Sequence, residues 1–248
     1  MIGFTNAVLG QFMLSPISVT ESGLGTFSPQ LTGLTNMINQ SGLDVPFISG
    51  STDFDAYFAP PNANFTRNAD GTKWQSDLTF NLPLEGTLDF DLGGSYQVSK
   101  VGIWNISVKS LSVLVSQDPN GPWIDAGRFA LLDAQTSLSL RATVLDLGAG
   151  HRGRHVRLAI ESEYPAVPNV TYGYATLGEV VVRATPDAAP TLEIGRESNG
   201  DITVRFTGVL QSAPDLNAPF IDVPGNPSGT LVIPAGSVAA GQFYRAKN

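Results

Sequence analysis

The stretch Gly86-Thr-Leu-Asp-Phe-Asp-Leu-Gly-Gly94 decides the fold of this chain. Apolar residues from Leu88 to Leu92 alternate with Asp89 and Asp91, so one face of an extended segment is apolar and the other is charged. This period of two is the pattern of a β-strand with one buried face. The two glycines that follow are a turn signal. We therefore predict a half-buried strand that ends at this glycine pair.

Further strands of the same kind are predicted along the chain, and turn signals such as Asp118–Pro122 separate them. They are Val101–Asn105, Lys109–Ser116, Val156–Glu161 and Leu177–Val182. The segment Leu31–Ile38 is predicted to form a turn or two of helix. Many short strands at such spacing predict an all-β antiparallel sandwich or barrel.

The segment Ala184–Pro190 marks a change of domain. Its prolines and alanines offer little to pack, as in a linker, and alternation restarts after it, beginning with Thr191–Ile194. We therefore predict an apolar leader or arm over 1–15, a first domain over 16–184, a linker over 185–190 and a smaller β domain over 191–248.

The composition excludes several kinds of partner. The chain has 42% hydrophobic residues, enough for a packed core, but only 15% charged residues and a net charge of −8. An acidic surface gains nothing from neutralising phosphates, so we expect no nucleic acid and no docking to anionic membranes. No apolar run is long enough to insert in a membrane. With no cysteine, disulfides and thiolate chemistry are excluded.

The chain shows no pattern that predicts catalysis. His151 and His155 are four residues apart, but Gly153 between them argues for a loop and strand rather than for a zinc-binding helix. There is no G-x-S-x-G nucleophile elbow. The carboxylates Asp89 and Asp91, spaced by two on a strand, are typical of a solvated face rather than of a glycosidase pair. We predict that the protein is not an enzyme.

Six short motifs, in order, resemble those of the discoidin-type (F5/8 type C) domain. They are Asn36–Leu43, Thr72–Ser76, Leu88–Gly93, Val113–Asp118 with Pro122–Trp123, Arg154–Leu158 and Leu177–Val181. The resemblance implies a galactose-binding-like jelly roll of two antiparallel sheets. Members of this family bind glycans, cell surfaces or other proteins through loops at one end. The tail from Val209 to Arg245 is similar to a small β module of bacterial surface proteins.

The resemblance also implies a cofactor, a structural calcium ion. Carried over motif by motif, its ligands would be Asn39 of the early loop, Thr72 of the T-x-W motif and Glu179 of the closing strand. Calcium takes six to eight hard oxygen ligands, and Asp53, Asp55 and Asp70 are further candidates.

Ligand-binding residues are predicted among the aromatic residues of the loops. Sugar recognition stacks a flat ring on the apolar face of a pyranose and adds polar groups around it. The candidates are Tyr57, Phe65, Tyr164, Tyr172 and Tyr174, with Arg152 as a donor. Core or rim packing is the alternative for these tyrosines. Trp74, Trp104 and Trp123 match core positions of the family, and we predict that they pack inside.

Two functions therefore stay open. The first is a non-catalytic surface-binding or adhesion protein that recognises a glycan or a partner protein through jelly-roll loops. The alternative is a structural subunit of a virion or an extracellular filament, a homo-oligomer or larger assembly. An accessory module of a glycoside hydrolase is a third, weaker reading. We expect an extracellular, cell-surface or virion location, with no signal peptide in the chain as given.

The assembly hypothesis depends on the apolar leader. It contains the apolar residues Ile2, Phe4, Val8 and Phe12, which precede the expected jelly roll. Such residues need a partner surface that shields them from water. A neighbouring chain would supply one if the leader added a strand to its sheet. The other possibility is that the leader covers the edge of its own domain.

Overall fold

A computed structural model describes residues 11–60, 64–80, 83–166, 170, 172–186, 191–215, 218–224, 229–235 and 242–247. The chain divides into two compact units, Met1–Pro186 and Asp187–Asn248. Within the described ranges, no helix has the length and apolar character needed to cross a membrane.

The first unit is built almost entirely from strands, with three short helical segments in its described part. In chain order the elements are β1 (Phe12–Leu14), β2 (Ser18–Ser22), α1 (Pro29–Thr32), a 3-10 helix (Leu34–Met37), α2 (Phe54–Phe58), β3 (Phe65–Arg67), β4 (Trp74–Gln75), β5 (Gly86–Asn105), β6 (Val108–Ser116), β7 (Ile124–Ala130), β8 (Ser139–Arg141), β9 (Thr143–Glu163) and β10 (Thr176–Pro186). The helical turns expected within Leu31–Ile38 are present as α1 and the 3-10 helix. The predicted all-β antiparallel architecture is confirmed.

The main sheet folds over to form two layers because β5 and β9 take part in both. Its strand order is β1-β10-β5-β9-β6-β7, with β2 on β5 and β4 on β10. The first half of β5 pairs with β2 and with the end of β9, whereas its second half pairs with β10 and with the start of β9. The layers are therefore β2-β5-β9-β6-β7 and β1-β10-β5-β9, and every pair is antiparallel.

The predicted turn at the end of the deciding stretch is a bend inside β5. The pairing of β5 with β9 shifts register between Asp91 and Tyr96. Gly93 lies at the shift with φ of 78°, a left-handed conformation that glycine adopts at little cost. On the other strand, Gly153 packs so close to β6 that no side chain fits there. The strand continues beyond the bend instead of ending, which is how it joins the two layers.

The principal core lies between the layers. Leu88 and Phe90 of β5 are fully buried there, as the alternation predicted, together with Val156 and Leu158 of β9. Each such side chain contributes about 1.5–3 kcal/mol by leaving water. Trp74 packs in the same core.

A second, smaller core covers the outer face of the β1-β10-β5-β9 layer. Trp104 of β5 is fully buried there beside Phe54 and Tyr57 of α2. Leu140 of β8 belongs to the same cluster, and its strand pairs with β3. Trp74 and Trp104 are thus packed as predicted. The prediction for Trp123 is wrong, because that indole is only partly buried.

Two predicted boundaries fall inside the main sheet. Phe12, Met13 and Leu14, which the sequence assigned to the leader, form β1 and pair with the end of β10. Strand β10 also runs through Thr185 and Pro186, assigned to the linker, because these residues continue the ladder with β5. The remainder of the predicted linker, 187–190, lies outside the described residues.

The second unit consists of two three-stranded antiparallel sheets in its described part. Its strands are β11 (Leu192–Arg196), β12 (Ile202–Phe206), β13 (Val209–Ala213), β14 (Ile221–Asp222), β15 (Thr230–Ile233) and β16 (Phe243–Lys247). The sheet orders are β11-β12-β15 and β14-β13-β16. Val204, Phe206 and Leu210 form the centre of its small core.

Glu163, the last residue of β9, is a buried carboxyl group at one end of the first unit. Its Oε2 accepts a hydrogen bond from the backbone N–H of Leu84 at 2.8 Å, while Oε1 has no partner among the described residues. Burial raises the pKa of Glu163, although backbone hydrogen bonds lower it in part. The ionised form is therefore disfavoured in the folded protein.

A side chain at Gly153 is expected to destabilise the first unit. An added Cβ would lie 2.3 Å from Cγ1 of Val115 and 2.8 Å from the carbonyl oxygen of Ser116. Overpacking of this kind costs about 1–3 kcal/mol. We expect Gly153→Ala to lower the free energy of unfolding by that amount in urea titrations. Tryptophan fluorescence reports on this unit alone, because all three tryptophans belong to it.

Gly94→Ala is the matched control for that substitution. The nearest atoms to an added Cβ at Gly94 belong to the Tyr96 ring at 3.4–3.6 Å, an ordinary contact distance. We expect a change within about 0.5 kcal/mol. Equal stability of the two variants would contradict the close packing at Gly153.

The raised pKa of Glu163 predicts a pH dependence of stability. As pH rises above about 4.5, the ordinary value for glutamate, the unfolded chain releases this proton before the folded chain does. Stability therefore falls with rising pH until the raised folded pKa is passed. Glu163→Gln removes this contribution, so the variant should lose less stability than the wild type between pH 4 and 7 in urea titrations. Glu85→Gln, at an exposed glutamate, should follow the wild-type curve; an unchanged slope in Glu163→Gln would refute the prediction.

Candidate functional site

Three predicted ligand residues are brought together where loops meet at one end of the first unit. Gly173 forms antiparallel bridges with both Thr79 and Pro165, so the loops that carry Tyr164, Tyr172 and Tyr174 lie side by side with the loop 77–80. The surface made by Phe80, Tyr164, Tyr172 and Tyr174 is called the aromatic end below.

Phe80 is the exposed ring of the aromatic end, and it lies against the partly buried Tyr172. Phe80 is 67% exposed, and its ring centroid lies 6.1 Å from that of Tyr172 with the planes tilted by 49°. Tyr164 is partly buried and donates its hydroxyl to the carbonyl oxygen of Leu131 at 2.9 Å. The ammonium of Lys109 lies 6.0 Å from the Tyr164 ring centroid. An apolar surface with a nearby cation results.

Hydrogen bonds from the strand ends hold the aromatic end in place. The hydroxyl of Ser107 donates to the carbonyl oxygen of Tyr174 at 2.6 Å, and the backbone N–H of Tyr164 donates to Ser107 at 2.7 Å. The buried Asn105 side chain donates to the carbonyl oxygens of Val108 and Leu132. The aromatic loops are thus tied to the turn that joins β5 to β6.

The other predicted ligand residues lie elsewhere in the first unit. Tyr57 is buried in the second core, where its hydroxyl donates to the carbonyl oxygen of Val45 at 2.6 Å and burial raises its pKa. Its ring therefore has no open face for a sugar. Phe65 lies in β3 with the Arg141 guanidinium 5.1 Å from its ring centroid. Arg152 is exposed on β9 opposite Gln97.

Phe80 was missed by reasoning from the sequence. The run Leu78-Thr-Phe-Asn-Leu82 alternates apolar and polar residues, which is the pattern of a strand rather than of a binding loop. The only signal against a strand is Pro83, which disfavours continued pairing. In the structure Leu78 and Phe80 are both exposed.

A second candidate site surrounds Glu179 of β10, one of the predicted calcium ligands. The residue is 1% exposed. Oε2 accepts the backbone N–H of Gln40 at 2.9 Å, but Oε1 has no partner among the described residues. Burial raises the pKa of Glu179 to about 8, against a lowering by the Gln40 hydrogen bond. A buried carboxyl oxygen without a partner is the environment that a bound cation would relieve.

Thr66 is the second polar group at this site that has no partner, and the sequence did not single it out. Its Oγ1 is buried and finds no hydrogen bond within the described ranges. The backbone of Gly42 approaches so closely that an added Cβ would lie 2.2 Å from this oxygen, and Gly178 approaches the Thr66 methyl in the same way. The early loop, β3 and β10 therefore converge around Thr66.

The two other predicted calcium ligands use their side chains for local hydrogen bonds. Asn39 Oδ1 accepts the backbone N–H of Ser41 at 2.9 Å. Thr72 Oγ1 lies 2.7 Å from the carbonyl oxygen of Arg67. The part of the chain that the structure describes has no cluster of three or more acidic or histidine side chains suited to a metal. The oxygens without partners here belong to one carboxylate and one hydroxyl group, with backbone carbonyl groups nearby. Such oxygens suit a hard cation, but the site does not have the several carboxylates of a highly charged calcium site.

Only one of the predicted assembly residues can be placed. Phe12 lies in β1, pairs with Ala184 of β10, and its ring centroid is 6.1 Å from that of Tyr96. The opposite side of β1 is bonded to the segment 50–53 through Met13. Ile2, Phe4 and Val8 lie outside the described residues. The described part of the leader covers the edge of its own domain, and assembly through residues 1–10 stays a prediction.

No protein-family model matches the chain, and no curated protein matches it. Similar solved structures exist. One is a putative chitobiase fragment from Bacteroides thetaiotaomicron, with 16% identity over 75% of this chain and 99% of that chain and a TM-score of 0.45. Another is CBM32-3 from a family 31 glycoside hydrolase of Clostridium perfringens, with 13% identity over 70% of this chain and 91% of that chain and a TM-score of 0.44.

A third similar structure, CpGH89CBM32-5 from Clostridium perfringens, is a complex with GalNAc-β-1,3-galactose. It is 16% identical over 69% of this chain and 95% of that chain, with a TM-score of 0.41. These similarities concern the fold. The strand pairing of the first unit by itself gives the two-layered antiparallel sandwich that the discoidin-type resemblance implies.

Proposed function

We propose that the first unit is a non-catalytic glycan-binding module and that the aromatic end is its binding surface. The observation that carries this proposal is the exposed Phe80 ring tilted against Tyr172. The Phe80 ring is exposed although the backbone bridge between Thr79 and Gly173 fixes the position of its loop. Two rings inclined to each other leave an open apolar surface on which the C–H face of a pyranose stacks.

The polar surroundings of the aromatic end favour a sugar over an apolar partner. Carbonyl groups and the Tyr164 hydroxyl lie beside the rings, and Lys109 is the nearby cation. Such sites combine an apolar platform with a small number of fixed polar groups. Adhesion to a glycosylated surface, and the extracellular location expected from the sequence, follow from this proposal and depend on it.

We also propose that a calcium ion stabilises the first unit at the Glu179 site. Glu179 and Thr66 would hold it, since each has a buried oxygen without a partner, and carbonyl oxygens of the early loop would complete the ligand set. When bound, the ion would neutralise the buried carboxylate. The early loop, β3 and β10 would then each supply a ligand to the same ion.

Phe80→Ala is expected to weaken glycan binding. Removing the exposed ring takes away the stacking surface, and the loss of a central aromatic contact is worth roughly tenfold in affinity or more. A broad glycan array identifies the best-bound sugar with the wild-type protein, and isothermal titration then compares the variant on that sugar. Phe243→Ala, which removes an exposed phenylalanine from the second unit, should bind as the wild type does. Binding that survives Phe80→Ala unchanged would remove the aromatic end from consideration.

Calcium is expected to raise the melting temperature of the wild-type protein relative to the same protein in EDTA. A ligand at one hundred times its dissociation constant adds about 2.7 kcal/mol of stability, which corresponds to several degrees for a domain of this size. Glu179→Gln should lose this increase because the variant lacks the buried carboxylate that would hold the ion. Glu163→Gln is the matched control, since Glu163 is also buried with one unpartnered oxygen but does not bond to the early loop, and it should keep the increase. An identical melting temperature with calcium and with EDTA would exclude the site.

A further inference from the structure

The loops of the aromatic end are paired side by side in the way short antiparallel strands are. Thr79 and Gly173 exchange backbone hydrogen bonds at 3.0 Å in both directions, and the N–H of Ala166 donates to the carbonyl oxygen of Tyr172 at 3.1 Å. Gly173 is bridged to Thr79 on one side and to Pro165 on the other. Three extended segments therefore lie next to one another with a defined register.

This register sends the four rings of the aromatic end to one side. In antiparallel pairing, residues directly opposite each other point the same way, and so do residues two apart on one strand. The first bridge places Phe80 opposite Tyr172, whose ring lies against it. The second bridge places Tyr164 opposite Tyr174. Because neighbouring strands lie about 4.8 Å apart, the surface is roughly 10 Å wide across the three segments, which exceeds one pyranose ring.

A lysine lies on the Tyr164 side of this surface. Lys109 of β6 is exposed, and its ammonium group is 6.0 Å from the Tyr164 ring centroid. The backbone N–H of Leu131 donates to the Lys109 carbonyl oxygen at 2.9 Å, and the Leu131 carbonyl oxygen accepts the Tyr164 hydroxyl at 2.9 Å. Hydrogen bonds through Leu131 therefore hold the strand of the cation next to the ring.

Lys109 has no carboxylate partner among the described residues. It differs in this respect from several other cationic side chains of the first unit, which form ion pairs. These pairs are Lys100–Asp55, Arg183–Asp55, Arg128–Glu161, Arg154–Asp91 and Arg157–Asp89. The aromatic end therefore has an unneutralised positive charge at one side, in a chain whose net charge is −8.

Carboxyl groups of the neighbouring segments do not neutralise Lys109. Glu163 at the end of β9 is buried, and it accepts a backbone hydrogen bond. Asp133, in the loop after β7, accepts the backbone N–H of Gln135 in its own loop at 3.0 Å. Neither group lies within ion-pair distance of the Lys109 ammonium. An anionic ligand at this side of the aromatic end therefore meets a cation that it does not have to share.

We propose that the ligand of the aromatic end is an acidic oligosaccharide. One sugar unit stacks on Phe80 beside Tyr172, and an anionic group of a neighbouring unit, a carboxylate or a sulfate ester, pairs with Lys109. A single exposed ammonium group binds a free anion only weakly, so the anion has to belong to a molecule that the rings also hold. The inference rests on the proposed function, because it assumes that the aromatic end binds a glycan, and it adds the charge of that glycan.

Isothermal titration of the whole chain with matched probes tests the charge of the ligand. Each acidic tetrasaccharide is compared with a neutral one of the same linkage: tetragalacturonate with α-1,4-galactotetraose, tetraglucuronate with cellotetraose, and 6-O-sulfated cellotetraose with cellotetraose. We expect at least one acidic probe to bind about three- to fivefold more tightly than its neutral counterpart, which is the contribution of an exposed ion pair. Higher ionic strength should reduce this difference. A preference for the uronates identifies a carboxylate as the anion, and a preference for the sulfated probe identifies a sulfate ester.

Substitutions of Lys109 assign the preference to this residue. Lys109→Gln should lower the affinity for the acidic probe to that for its neutral counterpart, and Lys109→Arg should retain the preference. Lys247→Gln is the matched control, since it makes the same change in net charge on β16 of the second unit, and it should retain the preference as well. Phe80→Ala should weaken the binding of both members of a probe pair.

The inference is wrong if no acidic probe binds more tightly than its neutral counterpart, or if the preference persists in Lys109→Gln. It is also wrong if Lys247→Gln loses the preference, because the effect would then come from the net charge of the chain. In each of these cases, neutral probes that bind the wild type and lose affinity in Phe80→Ala would leave the aromatic end as the glycan-binding surface. Binding that Phe80→Ala does not weaken would instead contradict the proposed function itself.

Discussion

The pairing of β5 with β9 along both of their halves is the constraint on which the rest of the first unit depends. Each strand is long enough to serve two layers, so the bend at Gly93 and Gly153 sets where one layer ends and the other begins. Every other strand of the main sheet is placed by hydrogen bonds to one of these two strands or to their neighbours. The core closes between the layers because the apolar faces of both halves meet there.

That constraint also places the proposed binding surface at the aromatic end. The end of β5 and the start of β6 form the turn at Asn105 and Ser107, and the loops of the aromatic end are tied to this turn. The position of this surface thus depends on the loops as well as on strand register.

Residues whose environment follows from strand periodicity could be predicted, and residues positioned by loops could not. Leu88, Phe90 and Asp89 fall on the expected faces because alternation fixes the face of every residue in a regular strand. Trp123 matched a family motif but lies outside the core, since it stands before β7, next to a register shift in the pairing of β6 with β7. Phe80 sits in a run that alternates as a strand does, so only the three-dimensional bridges at Gly173 identify it as a surface residue.

The two buried glutamates show why an unpartnered oxygen alone does not indicate a metal. Glu163 and Glu179 each accept one backbone hydrogen bond and each leave one oxygen free. Protonation relieves a lone buried carboxyl group, because the neutral acid has a much smaller desolvation cost. At Glu179 three chain segments converge, and the hydroxyl of Thr66 there is also left without a partner. A cation would satisfy several oxygen acceptors at once, which one proton does not, and this difference is the basis of the proposed calcium site.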